Sequence, residues 1–404
     1  MRDVGLGILL MTEQIDVGGK RSHVEILRAG LEEIGCRVDL IDWASLSWPE
    51  RVLAAGGYHV LNRFSRGLGH RWLIPVSSFL LRRRVRRALR CANPPDVIHV
   101  QEPMTYFPAR AEAGPTPVVI TIHGPISLEL TMASGLGPEH PNVQYMAWME
   151  RVAYQGADLV ISVDRPHAEY VRGFGRPGEI PVIPNFVDTR RFNPACAAER
   201  FAPEVETWID GRAVVLCPRR LVPKNGVHVA IRAARVLQDR GSRVAIVVAG
   251  EGPQREELFA LHRKLGTAGT LRFLGEVTQE RIPGGYRRAD VVIVPSVPSH
   301  GVEEATSISA LEGQACGRPV IATQIGGLPE IIETDVDGLL VPADDPEALA
   351  DAIERVLGEA GLATRLGETA AARVERERSH RHGAERYLAQ YRAVLAHRGS
   401  GARA

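Results

Sequence analysis

Short runs of β-branched and aliphatic residues recur along the whole chain, each followed by a stretch of helical period, and the series begins afresh near the middle. In the first half the runs are GLGILL from Gly5, RVDLID from Arg37, HVLN from His59, DVIHV from Asp96, PVVITIH from Pro117, DLVISV from Asp158 and IPVIPN from Ile180. The second half has RAVVLCP from Arg212, RVAIVVAG from Arg243, TLRFLGEV from Thr270, DVVIVPS from Asp290, RPVIAT from Arg318 and GLLVP from Gly338. A buried run followed by an amphipathic helix is the βαβ unit, and such units in series build parallel sheet. Two series predict two sheets, so the chain reads as α/β with two domains. Its 404 residues agree, since one domain usually takes roughly 100–200. The expected boundaries are a first domain over 1–190, a linker rich in Pro, Ala and charge over 191–211, and a second domain over 212–380. A final helix over 381–404 is expected to cross back to the first domain.

With 45% hydrophobic and 24% charged residues, the chain has the balance of a globular enzyme and not of a disordered or fibrous protein. A net charge of +1 supplies no overall field for nucleic acid, so none is expected as a partner and any anion site must be local. Cys36, Cys91, Cys196, Cys217 and Cys316 show no C-x-x-C pair and no His spacing suited to zinc; they read as reduced thiols of a cytoplasmic protein. The N-terminal VGLGILLM lacks a charged leader and a cleavage site and reads as a first strand, not a signal peptide. No apolar run reaches the roughly 18–20 residues of a membrane span.

In parallel sheets ligands sit at the carboxyl ends of strands, where loops and helix N-termini present backbone amides. Four segments fall there. In PSVPSHGVEEATSISALEGQACGRPVIAT, Glu304 and Glu312 are separated by seven residues. The loop ATSIS between them enters a helix whose first amides could hold sugar hydroxyls, while each carboxylate can accept paired hydroxyls. The alternative is an amphipathic helix with two solvated glutamates. In CPRRLVPKNG, Arg219, Arg220 and Lys224 lie between a strand and a helix, which suits a departing diphosphate or else makes a solvated basic loop. Lys224 stands out because the chain has only two other lysines, Lys20 and Lys264. Gly18 and Gly19 precede an amphipathic helix and would let backbone approach a phosphate or sugar, or simply make a turn. His123 ends PVVITIH and could hydrogen-bond a sugar hydroxyl or orient an acceptor; His99, with Glu102 nearby, carries the same choice between function and structure.

Two further patterns ask for a reading. Asp335 and Asp337 form a D-x-D, a metal-binding signature elsewhere, but they lie in a turn into a late strand and read as structural; no metal is expected. From Arg82 to Arg90 six arginines occupy nine positions around an apolar stripe of Leu81, Val85 and Leu89. That helix could meet anionic lipid or a phosphate-bearing acceptor, or be a solvated arginine-rich face.

Together these segments resemble the retaining family 4 glycosyltransferases of two-Rossmann-domain, or GT-B, architecture, over nearly the whole chain. That family runs through a Gly-Gly loop, a histidine after a mid-domain strand, an N-G-V-D turn, a G-R-L-x-x-x-K-G loop, a G-x-G-P turn and an E-x7-E motif. Here the same order reads Gly18-Gly19, His123, PNFVD from Pro184, RRLVPKNG from Arg219, AGEGP from Ala249 and EATSISALE from Glu304. The resemblance implies two Rossmann-like domains whose parallel sheets face a central cleft. It also implies a metal-independent transferase that needs no cofactor beyond its donor substrate, a nucleoside diphosphate sugar, and delivers the sugar to a hydroxyl acceptor with retention. Glu312 would bind the ribose and Glu304 the transferred sugar. Arg220 and Lys224, with the Gly19 amide, would bind the diphosphate, and the backbone of Ala305, Thr306, Ser307 and Ile308 the sugar. His123 would contact the sugar near the acceptor, and the backbone from Gly275 to Val277 the base. The departing diphosphate would itself take the acceptor's proton.

The chain departs from the family pattern at three places. Thr306 and Ser307 replace a phenylalanine and a glycine; Asn225 stands at the lysine position, with Lys224 one place early and Arg219 in place of the glycine; Phe186 replaces the glycine of the turn. Either Lys224 or Arg219 must then compensate at the diphosphate. Two other functions fit the same architecture: a sugar-nucleotide 2-epimerase, and a non-catalytic binding or membrane-scaffold protein. The expected location is cytoplasmic, with peripheral contact at the inner membrane face through Arg82–Arg90.

Overall fold

The computed structural model describes residues 5–12, 19–197 and 201–401, and the chain divides into two compact units. The first takes Met1–Pro184, His300–Val302 and Arg381–Ala404, the second Asn185–Ser299 and Glu303–His380. In the first unit β1 (Gly7–Met11), β2 (Arg37–Ile41), β3 (Val97–Val100), β4 (Val118–Ile122) and β5 (Leu159–Ser162) form a sheet in the order β2-β1-β3-β4-β5. The second has β6 (Ala213–Cys217), β7 (Val244–Ala249), β8 (Leu271–Gly275), β9 (Val291–Val294), β10 (Val320–Thr323) and β11 (Leu339–Val341), in the order β11-β10-β9-β6-β7-β8. Every pairing is parallel.

Helices cover both faces of each sheet, so the central strands are buried throughout rather than alternating. One device recurs at their entrances. The Asp96 carboxylate accepts from the Gly7 amide at 2.7 Å, Asp158 from Val118 at 2.7 Å and Asp290 from Val214 at 2.8 Å. Each Asp sits just before its own strand and satisfies the first or second amide of the neighbouring one. The amino edges are thereby closed locally at three strands, and the carboxyl edges carry the loops singled out in the sequence.

Two expected strands are corrected. HVLN from His59 lies inside a helix, Trp48–Phe64. Ser47 and Glu50 form a capping box with Pro49 in the first turn, and that start signal carries the helix across Gly56 and Gly57. The IPVIPN run contributes only a bridge of Val182 to Ser162, because Pro181 and Pro184 have no N–H for a ladder. Residues 191–211, read as a linker, lie within the second unit. Phe192, Val205 and Ile209 are buried in its core. The closing helix spans His380–Gly401, and its Tyr387 and Tyr391 are fully buried.

Candidate functional site

In the second unit, the loops that leave β6, β7 and β9 pack so closely that only glycine fits between them. Gly226 has φ +64°, and a Cβ there would stand 1.7 Å from the Pro295 carbonyl oxygen. Gly250, at φ +153°, would stand 2.2 Å from that of Arg219. The Val297 amide donates to the Lys224 carbonyl at 2.9 Å, sewing the basic loop to the segment that leads to Glu304.

At the centre of these loops lies Arg219, 6% exposed. Its Nη2 donates to Glu304 Oε2 at 2.6 Å, Asn225 Oδ1 at 2.6 Å and Ser296 Oγ at 2.9 Å. Its Nη1 donates to Glu304 Oε1 at 3.3 Å and to the Ser307 and Ser309 hydroxyls at 3.1 Å each. Nε is buried without a partner among the described residues. Burial alone would raise the Glu304 carboxyl, but the Arg219 and Lys224 charges and hydrogen bonds from Arg219 and Ser307 hold it below the ordinary range. Glu304 is therefore a fixed anion.

The three cations expected at a diphosphate divide into different roles. Arg219 is a buried hub whose Nη atoms are engaged by protein. Arg220 is exposed and Lys224 partly exposed. Two helix N-termini adjoin them. The helix Ile308–Ala315 starts at Ser307 and the helix Val227–Asp239 at Gly226, and neither has a side-chain cap. Ser307 cannot cap its own helix because its hydroxyl is held by Arg219 and Ser309. Among the described residues the first turns of both helices thus have no side-chain cap, the condition in which helix amides can take an anion.

One helix length on, Glu312 lies in a different environment. Its carboxylate accepts from the Tyr286 hydroxyl at 2.7 Å, and burial pushes its pKa up to about 7 against the effects of Tyr286 and Arg191. Thr306 is held by Asn185, whose amide donates to its Oγ1 at 2.9 Å and whose side chain donates to its carbonyl at 2.5 Å. Ala305 is partly buried and Ile308 buried. Gly275 has φ +75°, its carbonyl accepts from the Gly250 amide at 2.7 Å, and Val277 packs on the nearby core. Tyr286 escaped the sequence reading, whereas Asn185, Ser296 and Ser309 lay inside the segments PNFVD and PSVPSHGVEEATSIS without being given a part of their own.

The first unit holds a separate polar cluster at the ends of β3 and β4. His123 Nε2 hydrogen-bonds with Gln101 Oε1 at 2.9 Å. His99 Nε2 hydrogen-bonds with the Thr121 hydroxyl at 2.8 Å and Nδ1 with the Tyr391 hydroxyl at 2.7 Å. His23 and His123 pack edge to face with ring centres 4.6 Å apart. Burial, aided by neighbouring His23, drives the pKa of His99 down to about 3 and that of His123 well below its ordinary value. These imidazoles are neutral. Gly19 opens the helix Gly19–Glu33 and is exposed; Gly18 lies outside the described residues.

Two sequence patterns resolve into structure. Asp337 is fully buried, accepts from the Glu333 amide at 2.7 Å and pairs with Arg373 at 2.7 Å, while Asp335 pairs with Arg355 at 2.7 Å. The arginine-rich run belongs to the helix His70–Leu89, with Leu81 and Val85 buried. Half of its arginines are already paired, Arg82 and Arg86 with Glu112 and Arg84 with Glu50. Within that helix Phe79 is 60% exposed under the Arg83 guanidinium, 5.5 Å from its ring centre, and Trp48, close in sequence to the Arg84 partner Glu50, is 71% exposed. No helix among the described residues is long and apolar enough to cross a membrane.

Comparison with known proteins extends over both units. The model of "Glycosyltransferase Family 4" matches residues 17–191 and that of "Glycosyl transferases group 1" residues 199–373. A D-inositol 3-phosphate glycosyltransferase of Saccharomonospora viridis is 36% identical over 59% of this chain and 56% of its own length. A GDP-mannose-dependent alpha-(1-6)-phosphatidylinositol monomannoside mannosyltransferase of Mycobacterium tuberculosis is 32% identical over 52% of this chain and 56% of its own length. The chain thus spans little more than half the length of these two relatives. Among solved structures, Anabaena Alr3699/HepE in complex with UDP superposes with a TM-score of 0.69 at 19% identity, covering 96% of this chain and all of that one. The likeness is one of fold.

Proposed function

We propose, from the premise that this chain belongs to the family 4, group 1 glycosyltransferases, that it transfers a sugar with retention from a nucleoside diphosphate sugar to a hydroxyl acceptor. The observation that carries this reading is the Arg219 hub, which fixes Glu304 and Ser307 beside two uncapped helix N-termini and two accessible cations. In this reading Arg220, Lys224 and the helix amides take the diphosphate, whose growing charge they stabilise as it leaves without any metal. Arg219 is a positioning residue that holds Glu304 for the sugar hydroxyls, and Lys224 compensates at the diphosphate for the lysine that Asn225 replaces. Glu312 accepts from the ribose hydroxyls. The departing phosphate oxygen takes the acceptor's proton, and neutral His123 donates or accepts a hydrogen bond without competing for it.

The acceptor side is drawn from two supports. Both relatives are named for inositol phosphate or phosphatidylinositol substrates, and the exposed side chains of Phe79 and Trp48 lie by the arginine run, the first under Arg83 and the second near the Glu50–Arg84 pair. Aromatic anchors beside guanidinium groups suit an anionic membrane surface, so we read the acceptor as phosphate-bearing and met at such a surface.

The test is donor consumption followed by NMR, with uridine, guanosine and adenosine diphosphate sugars and inositol phosphate or phosphatidylinositol acceptors. Transfer that keeps the donor's anomeric configuration is expected. Conversion of the donor to an epimer without acceptor would replace this reading with that of an epimerase.

A further inference from the structure

Outside the polar cluster, the second unit brings together two cysteines that are far apart in sequence. Cys196 Sγ and Cys316 Sγ lie 3.9 Å apart. Cys316 follows the helix Ile308–Ala315, and its amide donates to the Glu312 carbonyl at 3.0 Å. Cys196 belongs to the segment that Phe192 anchors in the core, with its amide on the Asn193 carbonyl at 3.2 Å. The Cys316 carbonyl accepts from Arg287 at 2.9 Å, and the Arg287 carbonyl accepts from Arg318 at 2.7 Å. Nε of both arginines is buried without a partner among the described residues.

Access is uneven. Cys316 is buried and Cys196 partly exposed. A groove of about 350 Å³ is lined by Asn193, Pro194 and Ala315, chain neighbours of both thiols. The hydrogen bond from Cys316, with the Asn193 amide contact and the two guanidinium charges, outweighs burial and lowers the Cys196 pKa to about 6, whereas Cys316 is raised. One sulfur is thus primed as thiolate and the other held as thiol, the usual division between an attacking and a resolving cysteine.

We propose that Cys196 and Cys316 are a reversible oxidation site, closed to a disulfide by peroxide, and that closure weakens nucleotide binding through Glu312. The Cys196 thiolate attacks one oxygen of hydrogen peroxide, the O–O bond breaks, and hydroxide leaves to become water. The sulfur of Cys316 then attacks the resulting sulfenic acid, loses its proton, and displaces a second water. Two thiols and one peroxide give one disulfide and two waters. The sulfurs must close by about 2 Å to reach the bonded distance, and that movement pulls on the turn that ends at Glu312. The second half of the proposal rests on Glu312 as ribose ligand; the first does not.

The experiment uses the full chain with exposed Cys91 replaced by serine, treated with stoichiometric peroxide. Expected are a mass loss of two hydrogens, a Cys196–Cys316 cross-linked peptide that thioredoxin reduces, and neither in Cys196→Ser or Cys316→Ser. Oxidation should weaken nucleoside diphosphate binding by about tenfold, the loss of roughly one hydrogen bond, and Cys196→Ser should bind equally before and after peroxide. Cys196 advancing to sulfinic acid with Cys316 still a thiol would overturn the site. A cross-link that leaves affinity unchanged would overturn the coupling to Glu312. A reduced protein that binds no nucleotide would instead refute the donor reading and leave the cross-link result standing.

Discussion

At the ends of β3 and β4 the first unit gathers His23, His99, His123, Tyr387 and Tyr391, and burial holds His99, His123 and the two tyrosines neutral. At the ends of β6 and β9 the second unit gathers Arg219, Lys224, Glu304 and Glu312, where charge is either fixed by pairing or poised near neutral pH. Both clusters grow from the carboxyl edges of parallel sheets, so topology does not distinguish them. What differs is the material. A pre-paired charge cluster suits a ligand whose own charge is permanent and grows during reaction, because its dipoles need no rearrangement. A neutral network suits a ligand that must be oriented by hydrogen bonds. The closing helix contributes to the neutral cluster alone, through Tyr391 on His99 at 2.7 Å and Tyr387 on Thr121 at 3.2 Å.

The largest expected effect breaks the charged cluster at its hub. Arg219→Ala strands a buried Glu304 carboxylate and should cost about 3–5 kcal/mol in urea denaturation, with transfer abolished. Glu304→Gln should cost less, since the guanidinium keeps Asn225, Ser296, Ser307 and Ser309. Equal costs for the two would mean that the pair, and not the wider network, holds the loops.

In the neutral cluster, His99→Gln should cost about 1–3 kcal/mol, because it loosens buried partners at Thr121 and Tyr391. Its pH dependence has a definite sign. The folded pKa of about 3 lies below the ordinary 6.5, so the unfolded chain binds the proton first. Stability from neutral His99 is complete above pH 6.5 and is lost as pH falls towards 3. Hydrogen exchange of β3 and β4 amides, followed on acidification, should report this loss, and His99→Gln should flatten it.

Glu312 runs the other way. With a folded pKa of about 7 against 4.5, its contribution is complete below pH 4.5 and is lost as pH rises through 7. Glu312→Gln cannot ionise, so its stability relative to the native chain should improve between pH 5 and pH 8 in urea titrations. Tyr286→Phe should move that midpoint upward by removing the hydroxyl that favours the carboxylate. The two units are thus expected to respond oppositely to pH.

The sequence made the architecture legible because buried parallel strands are nearly continuous apolar runs, and eleven such runs became strands. HVLN failed since a four-residue run says nothing about the start signal twelve residues upstream, where Ser47 and Glu50 nucleate the helix. In the site, Arg219 could be picked out because charge just after a strand is unusual, and Glu304 and Glu312 because two carboxylates flank a small polar loop that enters a helix. Their division of labour could not: that Arg219 turns inward while Arg220 stays exposed depends on packing against Gly250 and Asn225. Tyr286 stood outside every motif, and its bond to Glu312 depends on how two helices pack; Asn185 lay in PNFVD, but its hold on Thr306, 121 residues on, could not be read locally. The departures at Asn225 and Ser307 gain a common explanation, since both side chains receive hydrogen bonds from Arg219. An arginine in place of glycine requires partners where the family pattern has a lysine and a glycine.

The central claim is that the fixed-charge cluster, and not the neutral one, holds the donor nucleotide. Calorimetric titration of the nucleoside diphosphate that binds best among those of uridine, guanosine and adenosine tests it directly. Lys224→Ala and Glu312→Ala should each weaken binding by about tenfold or more, the loss of at least one charge-assisted hydrogen bond, while His123→Ala leaves the Kd within about twofold. Unchanged binding in both second-unit variants, or weakening in His123→Ala alone, would contradict it.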